Sequence, residues 1–188
     1  MEKSFNQGMI MKREAIRRHS ETTKNKLLFA AKNLLANEGY TAFSENKICE
    51  LVGVTRGALR HHFPAGRHEL ISELAISFME QVPVGDTSDI QVRIIELITF
   101  MHQKPHHNPL VLLMEIFLAS YADKQLEVSV KTTLDSLDRI IFGVDSWEAL
   151  PEHLTPFPIL FWGTLLAQLK HGKNSCSLNA MLGFMNTH

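Results

Sequence analysis

Basic, hydroxyl and small side chains are concentrated in the segment Ser44–Phe63, which reads SENKICELVGVTRGALRHHF. The guanidinium group of Arg56 can donate two hydrogen bonds to guanine O6 and N7 in a major groove, or it can bind phosphate or remain solvated. Gly57 and Ala58 are small enough to allow close approach, and the Ala58 methyl group can contact a thymine methyl group. These residue types predict the chemistry of DNA recognition.

Two short helices joined by a tight turn are predicted to position these side chains. The first helix has one apolar face, formed by Ile48, Leu51 and Val52. Gly53 suits the turn because glycine adopts left-handed backbone angles without steric cost, and Val54 is expected to fill the corner between the helices. Ser44 and Thr55 precede the two helices, where their hydroxyl groups can accept hydrogen bonds from free N–H groups or meet a phosphate.

The segment GVTRGALRHHFPAGRHEL resembles the TetR family of bacterial one-component repressors. The usual pattern of that family runs Gly-Val-Ser/Thr-x-Gly-x-Leu-Tyr-x-His-Phe, followed by a basic residue and a leucine. The matching positions are Gly53, Val54, Thr55, Gly57, Leu59, His62, Phe63, Arg67 and Leu70. The upstream segment KNKLLFAAKNLLANEGY is similar to the first helix of the family, so the specific match covers Thr23 to Leu74.

The resemblance implies an all-α fold of about nine helices, with a three-helix DNA-binding domain followed by a helical ligand-binding and dimerisation domain. We predict a basic, flexible N-terminal arm at 1–20, the DNA-binding domain at 21–68 with its helix-turn-helix at about 44–63, and the second domain at 69–188. The expected function is that of a transcriptional repressor. It would bind double-stranded DNA at a palindromic operator as a homodimer and would be released by a small, largely apolar ligand.

Three positions depart from the family pattern. Arg60 stands where tyrosine is usual, and it keeps the capacity to bind phosphate while it can shift the sequence preference. Glu45 replaces a usual apolar residue, and Phe43 replaces a usual threonine and is expected to fill the space that Glu45 leaves. The residues predicted to contact DNA are Ser44, Thr55, Arg56, Gly57, Ala58, Arg60, His61, His62 and Arg67.

The C-terminal part reads as apolar helices separated by loops. One helix is predicted from Lys124 to Val144, followed by a proline-rich loop, DSWEALPEHLTPFP. By resemblance this part surrounds an effector cavity, and the predicted pocket residues are Phe100, Met101, Met114, Phe117, Tyr121 and Trp147. The last helices are expected to pair with a second subunit through Phe161, Trp162, Leu165, Leu166 and Leu169, since so many apolar residues on one helix need cover. For the pocket residues and the interface residues alike, the alternative is that they are ordinary core residues.

Composition and charge agree with this organisation. Of the 188 residues 45% are hydrophobic and 21% are charged, which is typical of a soluble globular protein. Residues 1–70 hold 12 Lys/Arg against 7 Asp/Glu, whereas residues 71–188 hold 7 against 13, so a basic head precedes an acidic body. Two cysteines without a metal or disulfide spacing predict a reduced, cytoplasmic location, and no apolar run is long enough to span a membrane.

Other readings stay open at this stage. His102, His106 and His107 flank a proline-containing loop and can in principle bind a metal ion, but we expect no metal and no cofactor beyond an unknown effector. No catalytic signature is present, so we predict that the protein is not an enzyme. The alternatives to a ligand-released repressor are a helical DNA-binding protein without an effector and, less favoured, an enzyme or interaction module on the same fold. Met9 or Met11 are alternative starts.

Overall fold

The computed structural model describes the backbone of residues 2–83, 85, 89–104, 107–144, 149–171, 179–181 and 183, and the side chains from residue 20 onward except 138, 170 and 171. Within these residues the chain is helical and has no β-strand, which confirms the predicted all-α class. The α-helices are α1 Glu2–Glu38, α2 Glu45–Val52, α3 Arg56–His62, α4 Arg67–Met79, α5 Ile90–Gln103, α6 Pro109–Ser120, α7 Lys124–Asp135, α8 Leu137–Phe142 and α9 Pro156–His171.

The helices form two compact units, Met1–Leu70 and Ile71–His188, and the boundary falls inside α4. In the first unit α2 and α3 both pack against α1. The apolar stripe of α1 is buried and consists of Leu27, Ala31, Leu34 and Leu35. Ile48 of α2 and Leu59 of α3 are buried as well, so one apolar core holds the two short helices in a defined orientation.

In the second unit α5 packs against α8 and α9, while α6 packs against α7 and α9. Three of these helices begin with a side-chain cap, because the carboxylate or amide oxygens of Asp89, Asn108 and Asp123 accept hydrogen bonds from backbone N–H groups of the first turn. The caps explain why α5, α6 and α7 start where they do. Across the residues that the structure describes, no helix has the length and apolar character needed to span a membrane.

The predicted long helix from Lys124 to Val144 is divided in the structure. It stops at Asp135 and resumes as α8 at Leu137, so the prediction of one helix was wrong. The backbone N–H and the hydroxyl group of Ser136 both donate to the carbonyl oxygen of Thr133, three residues back. A serine side chain that competes for backbone groups in this way favours a local break in the helix.

Two other boundaries differ from the predictions. α9 begins at Pro156, inside the segment predicted as a loop, because proline is tolerated in the first turn of a helix, where its missing N–H has no intrahelical partner. α1 runs back to Glu2 through the segment predicted as a flexible arm, which contains one glycine, Gly8, and no proline. The side chains of this arm, including Lys12 and Arg13, lie outside the described residues, and its flexibility stays a prediction.

Candidate nucleic-acid interface

The turn between α2 and α3 has the geometry that the sequence predicts. Gly53 has φ 74° and ψ 36°, a left-handed conformation, and its backbone N–H donates to the carbonyl oxygens of the last turn of α2. The hydroxyl group of Ser44 accepts a hydrogen bond from the backbone N–H of Lys47, and that of Thr55 accepts from the N–H of Ala58 at 3.1 Å. Both predicted caps are therefore present, and each fixes the start of one helix.

α3 presents an exposed face made of polar and small residues. Thr55, Arg56, Gly57, Arg60 and His61 are exposed, Ala58 is half-buried, and only Leu59 within the helix is buried. A methyl group added at Gly57 would meet only the Thr55 hydroxyl oxygen, at 3.7 Å, so packing within the chain does not require glycine at this position. A small residue on an exposed helix face allows another surface to approach the backbone closely.

The carboxylate of Glu45, at the start of α2, connects the two arginines of this face. Its oxygens accept hydrogen bonds from Nε and Nη2 of Arg60, at 3.1 and 2.9 Å, and from Nε of Arg56 at 3.3 Å. The backbone N–H of Arg67 donates to Oε1 at 3.3 Å. We call these four residues, Glu45, Arg56, Arg60 and Arg67, the Glu45 cluster.

That Phe43 fills a space left by Glu45 stays a prediction. The Phe43 ring is buried and stacks on Tyr40 with ring centroids 6.5 Å apart. The space at Glu45 is taken by its own carboxylate, and Gly66 makes room for it, because a Cβ atom there would lie 2.0 Å from Oε1. Gly66 also has φ 65°, which favours glycine independently.

The ionisation of the Glu45 cluster follows from these contacts. The hydrogen bonds from Arg60 lower the pKa of Glu45 below its usual value, opposed by burial and assisted by the charge of Arg60, the N–H of Arg67 and the Arg56 side chain. The same pair raises the pKa of Arg60. At neutral pH the cluster therefore holds one carboxylate and three guanidinium groups, of which those of Arg56 and Arg60 lie on the exposed face beside the carboxylate.

The two neighbouring histidines at the end of α3 differ in environment. His61 is exposed, whereas His62 is half-buried, and burial lowers the pKa of His62, together with the nearby charges of His61 and Lys24. His62 is therefore neutral at pH 7 and can offer a hydrogen bond without a charge. The ring centroids of the two histidines lie 5.2 Å apart.

Arg67, at the start of α4, is anchored by Tyr40. Its Nη2 atom donates to the Tyr40 hydroxyl oxygen at 3.1 Å, and its guanidinium carbon lies 5.3 Å from the centre of the Tyr40 ring. Sequence reasoning predicts Arg67 as a phosphate contact but treats Tyr40 only as the end of the first helix. No spacing rule connects two residues 27 positions apart, so only packing could identify this partner.

The residues predicted to line an effector pocket lie mostly in the core of the second unit. Phe100, Met101 and Met114 are buried, while Tyr121 is exposed and Trp147 lies outside the described residues. Phe117 packs between Tyr121 and Trp162, with ring centroids 5.1 and 6.2 Å away. The structure thus brings part of this set together by packing, and the set's role in binding a ligand stays a prediction.

A cavity of about 460 Å³ in the second unit has a different lining. It lies among the start of α5, α8 and the 3-10 helix Glu152–Leu154, and its described lining is mainly apolar with two arginines, Arg93 and Arg139. Arg93 is buried, and its Nη2 atom donates to the carbonyl oxygens of Pro83 and Ile140, the latter at 3.1 Å. No sequence pattern indicates this cavity, because its walls come from segments as far apart in the chain as Ile90 and Ile140.

The residues predicted to pair two subunits divide into two groups. Phe161 and Leu165 are 0% exposed, so the chain itself already buries both side chains in its core. Leu166 is 51% exposed, and Trp162 and Leu169 are half-buried. Ile159 is not among the predicted interface residues. It is 61% exposed and lies about two turns before Leu166 on the same helix. The exposed side of α9 is therefore the side that carries Ile159 and Leu166, and the opposite side, with Phe161 and Leu165, faces the core.

The histidines considered for a metal site do not form one in the described residues. His106 lies outside them, and no three His, Cys, Asp or Glu side chains of the described residues come close enough to hold a metal ion together. His107 has φ 53°, a left-handed conformation within its loop. These residues carry no further argument.

A short helix with an exposed basic face, joined by a glycine turn to a preceding helix and packed on a third, is a helix-turn-helix, the motif of DNA-binding transcriptional regulators. Residues 27–74 match the family model described as bacterial regulatory proteins, tetR family. The match confirms the sequence resemblance for this domain, which has the character of the TetR-family DNA-binding domain.

Solved structures agree with this fold over most of the chain. A protein from Rhodococcus sp. assigned to the TetR-family transcriptional regulators superposes with a TM-score of 0.58 at 16% identity, over 88% of this chain and 97% of that one. GusR of Salmonella enterica superposes with a TM-score of 0.53 at 16% identity, over 88% of this chain and 94% of that one. At this identity the likeness concerns the fold alone. No curated protein sequence matches the chain.

Proposed function

We propose that this DNA-binding regulator is a repressor, that it binds a palindromic operator as a homodimer, and that a small, largely apolar ligand releases it. The observation that carries the proposal is the exposed face of α3, where Arg56 and Arg60 lie one turn apart beside the uncrowded Gly57. Such a face suits a recognition helix in the major groove. We infer that the protein acts in the cytoplasm, where its DNA lies, and that it is not an enzyme.

The predicted contacts take the following roles in this proposal. Arg56, in the first turn of α3, reads a guanine by a bidentate contact, and Ala58 contacts a thymine methyl group. Arg60 and Arg67 bind phosphates, while the capped starts of α2 and α3 at Ser44 and Thr55 add N–H groups for the same purpose. His61 and the neutral His62 add further contacts to the DNA backbone. Phosphate contacts fix the register of the helix and base contacts supply the specificity.

We propose the exposed side of α9 as the surface that meets a second copy of the chain. Ile159 and Leu166 expose large apolar side chains there, and Gly163 between them and Ala167 beside Leu166 are small enough to allow close approach of another helix. An isologous contact between two copies would bury both apolar side chains of each. The two-fold symmetry would then set two recognition helices one DNA turn apart, about 34–36 Å, which requires a palindromic operator.

The cavity lined by Arg93 and Arg139 supports the proposal of an effector. Its volume of about 460 Å³ falls within the range of small-molecule sites, which is about 300–1,000 Å³. Ile140, Phe142 and Leu154 give it an apolar wall, and of its two arginines Arg93 is paired with Glu96, so the wall favours a largely apolar ligand. A ligand that prefers a state with another spacing of the two recognition helices would weaken DNA binding by its differential affinity.

Filling this cavity is expected to abolish ligand binding without affecting DNA binding. Leu154→Trp should reduce the fluorescence enhancement of an apolar aromatic sulfonate dye, anilinonaphthalene sulfonate, by at least tenfold, since the indole ring would occupy the cavity. Arg139→Gln should weaken binding of the same dye through the loss of positive charge. Leu118→Trp, a similar change at an exposed position of α6, is the control. Equal dye binding by all three variants and the unchanged protein would place the ligand site elsewhere.

A DNA-binding protein without an effector is the second candidate. The burial of Phe100, Met101 and Met114, predicted as pocket residues, favours it, because side chains that fill the body leave less room for a ligand. Failure of a chemically diverse compound set to displace the protein from its operator would support this candidate against the first.

The operator itself is the direct test of the proposed function. Selection of randomised duplex DNA on the purified protein should enrich a two-fold symmetric sequence with half-sites one helical turn apart. The enriched duplex should bind at least 10³-fold more tightly than a random duplex at physiological salt. Enrichment of no sequence, or of a single asymmetric half-site, would contradict the dimeric repressor.

A further inference from the structure

We propose that Glu45 is a positioning residue for sequence recognition, holding the guanidinium groups of Arg56 and Arg60 in fixed orientations so that α3 discriminates its operator from other DNA. The inference rests on the proposed DNA contacts of α3. It adds a residue that does not itself reach the DNA.

The geometry separates the acceptor from the groups that would meet DNA. The side chain of Glu45 is 11% exposed, whereas those of Arg56 and Arg60 are 59% and 52% exposed. The carboxylate therefore lies beneath the two arginines, at the start of a different helix. Both arginines are four residues apart on α3, so their side chains share one face.

The hydrogen bonds to Glu45 determine which guanidinium nitrogens of the two arginines remain available to contact DNA. Each arginine turns its Nε edge to Glu45: Arg60 donates through Nε and Nη2, and Arg56 through Nε. In the described part of the chain, the terminal nitrogens of Arg56 make no hydrogen bond. Both terminal nitrogens of Arg56, together with Nη1 and the second N–H of Nη2 in Arg60, are thus left to donate to a guanine or a phosphate.

A fixed arginine discriminates better than a free one. A long, flexible arginine side chain can adjust to contacts with different bases and phosphates. An arginine held by a carboxylate loses less rotamer entropy when it makes a contact of matching geometry, and it makes contacts of other geometry poorly. The carboxylate also removes one positive charge from the face, which weakens sequence-independent attraction to phosphates. Both effects increase the ratio of specific to non-specific affinity.

The Glu45 cluster is built into the domain rather than formed by chance on the surface. The acceptor begins α2, the donors come from two turns of α3, and the N–H of Arg67 comes from the start of α4. Gly66, in the turn before α4, has no side chain where a Cβ atom would clash with Glu45 Oε1. Four segments of the first unit therefore determine the position of this one carboxylate.

The test compares two Glu45 variants with a matched control by fluorescence anisotropy, using the selected operator duplex and a random duplex of equal length over a series of salt concentrations. Glu45→Gln keeps the shape and removes the charge. Glu45→Asp keeps the charge but withdraws the carboxylate by one methylene group, so it cannot accept all three arginine hydrogen bonds. Glu50→Gln makes the same charge change at an exposed position of α2 outside the cluster.

We expect Glu45→Gln and Glu45→Asp each to lower the ratio of operator to random-duplex affinity by about tenfold, within the range for the loss of one bidentate base contact. Glu50→Gln should change both affinities by the same small factor. In a chain that also carries Arg56→Ala and Arg60→Ala, Glu45→Gln should leave the ratio unchanged, because Glu45 acts through those arginines. Circular dichroism and thermal unfolding establish that each variant is folded.

A wild-type ratio in both Glu45 variants, or an equal loss of the ratio in Glu50→Gln, would overturn the inference. A change in Glu45→Gln with none in Glu45→Asp would assign the effect to charge alone and would also overturn it. These outcomes are distinct from failure of the proposed function, in which the unchanged protein itself would not distinguish its selected duplex from random DNA.

Discussion

Arg56→Ala is expected to lower the affinity for the operator and to relax the base preference at one position of each half-site. The exposed guanidinium group in the first turn of α3 is the group best placed for a bidentate contact with guanine, and loss of such a contact costs about 1–3 kcal/mol of discrimination, or roughly 5- to 150-fold. Competitive anisotropy against a panel of operators with single base-pair changes would measure the effect at each position.

Arg60→Ala should behave differently from Arg56→Ala in the same assay. If Arg60 contacts phosphate, its loss should weaken binding to every duplex by a similar factor and should reduce the slope of log affinity against log salt concentration by about 1. Lys124→Ala, an exposed cation of the second unit, is the charge-matched control and should leave both quantities unchanged. Indistinguishable binding by both arginine variants and the unchanged protein at low salt would refute the assignment of α3 as the recognition helix.

Leu166→Glu combined with Ile159→Glu is expected to prevent formation of the proposed dimer and to abolish operator binding at nanomolar concentration. Both side chains are large, apolar and exposed on α9, so carboxylates there would be buried without partners if a second copy packs on this surface. The cost of an unpaired buried charge, about several kcal/mol, exceeds what a standard apolar contact supplies per residue.

The loss of DNA binding follows from the loss of the dimer. A monomer contacts one half-site, so it forfeits the effective concentration that couples the two half-sites, which is worth about 10²–10⁴ in affinity. Sedimentation equilibrium would measure the oligomeric state, and anisotropy the operator affinity. Val128→Glu places the same charge at an exposed apolar position of α7 and should change neither. A variant with both glutamates on α9 that remains dimeric would show that the subunits meet elsewhere.

Local signals predicted the DNA-binding unit well because its elements depend on neighbouring residues. Gly53 requires a left-handed angle, and Ser44 and Thr55 cap the helices that follow them, within three residues along the chain. The break at Ser136 was missed although its cause is also local, because a serine inside an apolar periodicity does not by itself indicate which carbonyl its hydroxyl will bond.

The sequence by itself determined the helical class and the helix-turn-helix, because capping, left-handed glycine angles and apolar periodicity act over a few residues, and its motif predicted the family that the model of residues 27–74 describes. Only the tertiary structure decided that Glu45 accepts from Arg60, that Tyr40 anchors Arg67, and that Phe161 is a core residue while Leu166 faces outward. These are contacts between residues brought together by packing from distant positions. Glu45 and Arg60 are 15 residues apart in the chain, and Tyr40 and Arg67 are 27 residues apart. Helical periodicity does not connect residues at such separations, so these contacts become known only from the packing of the helices.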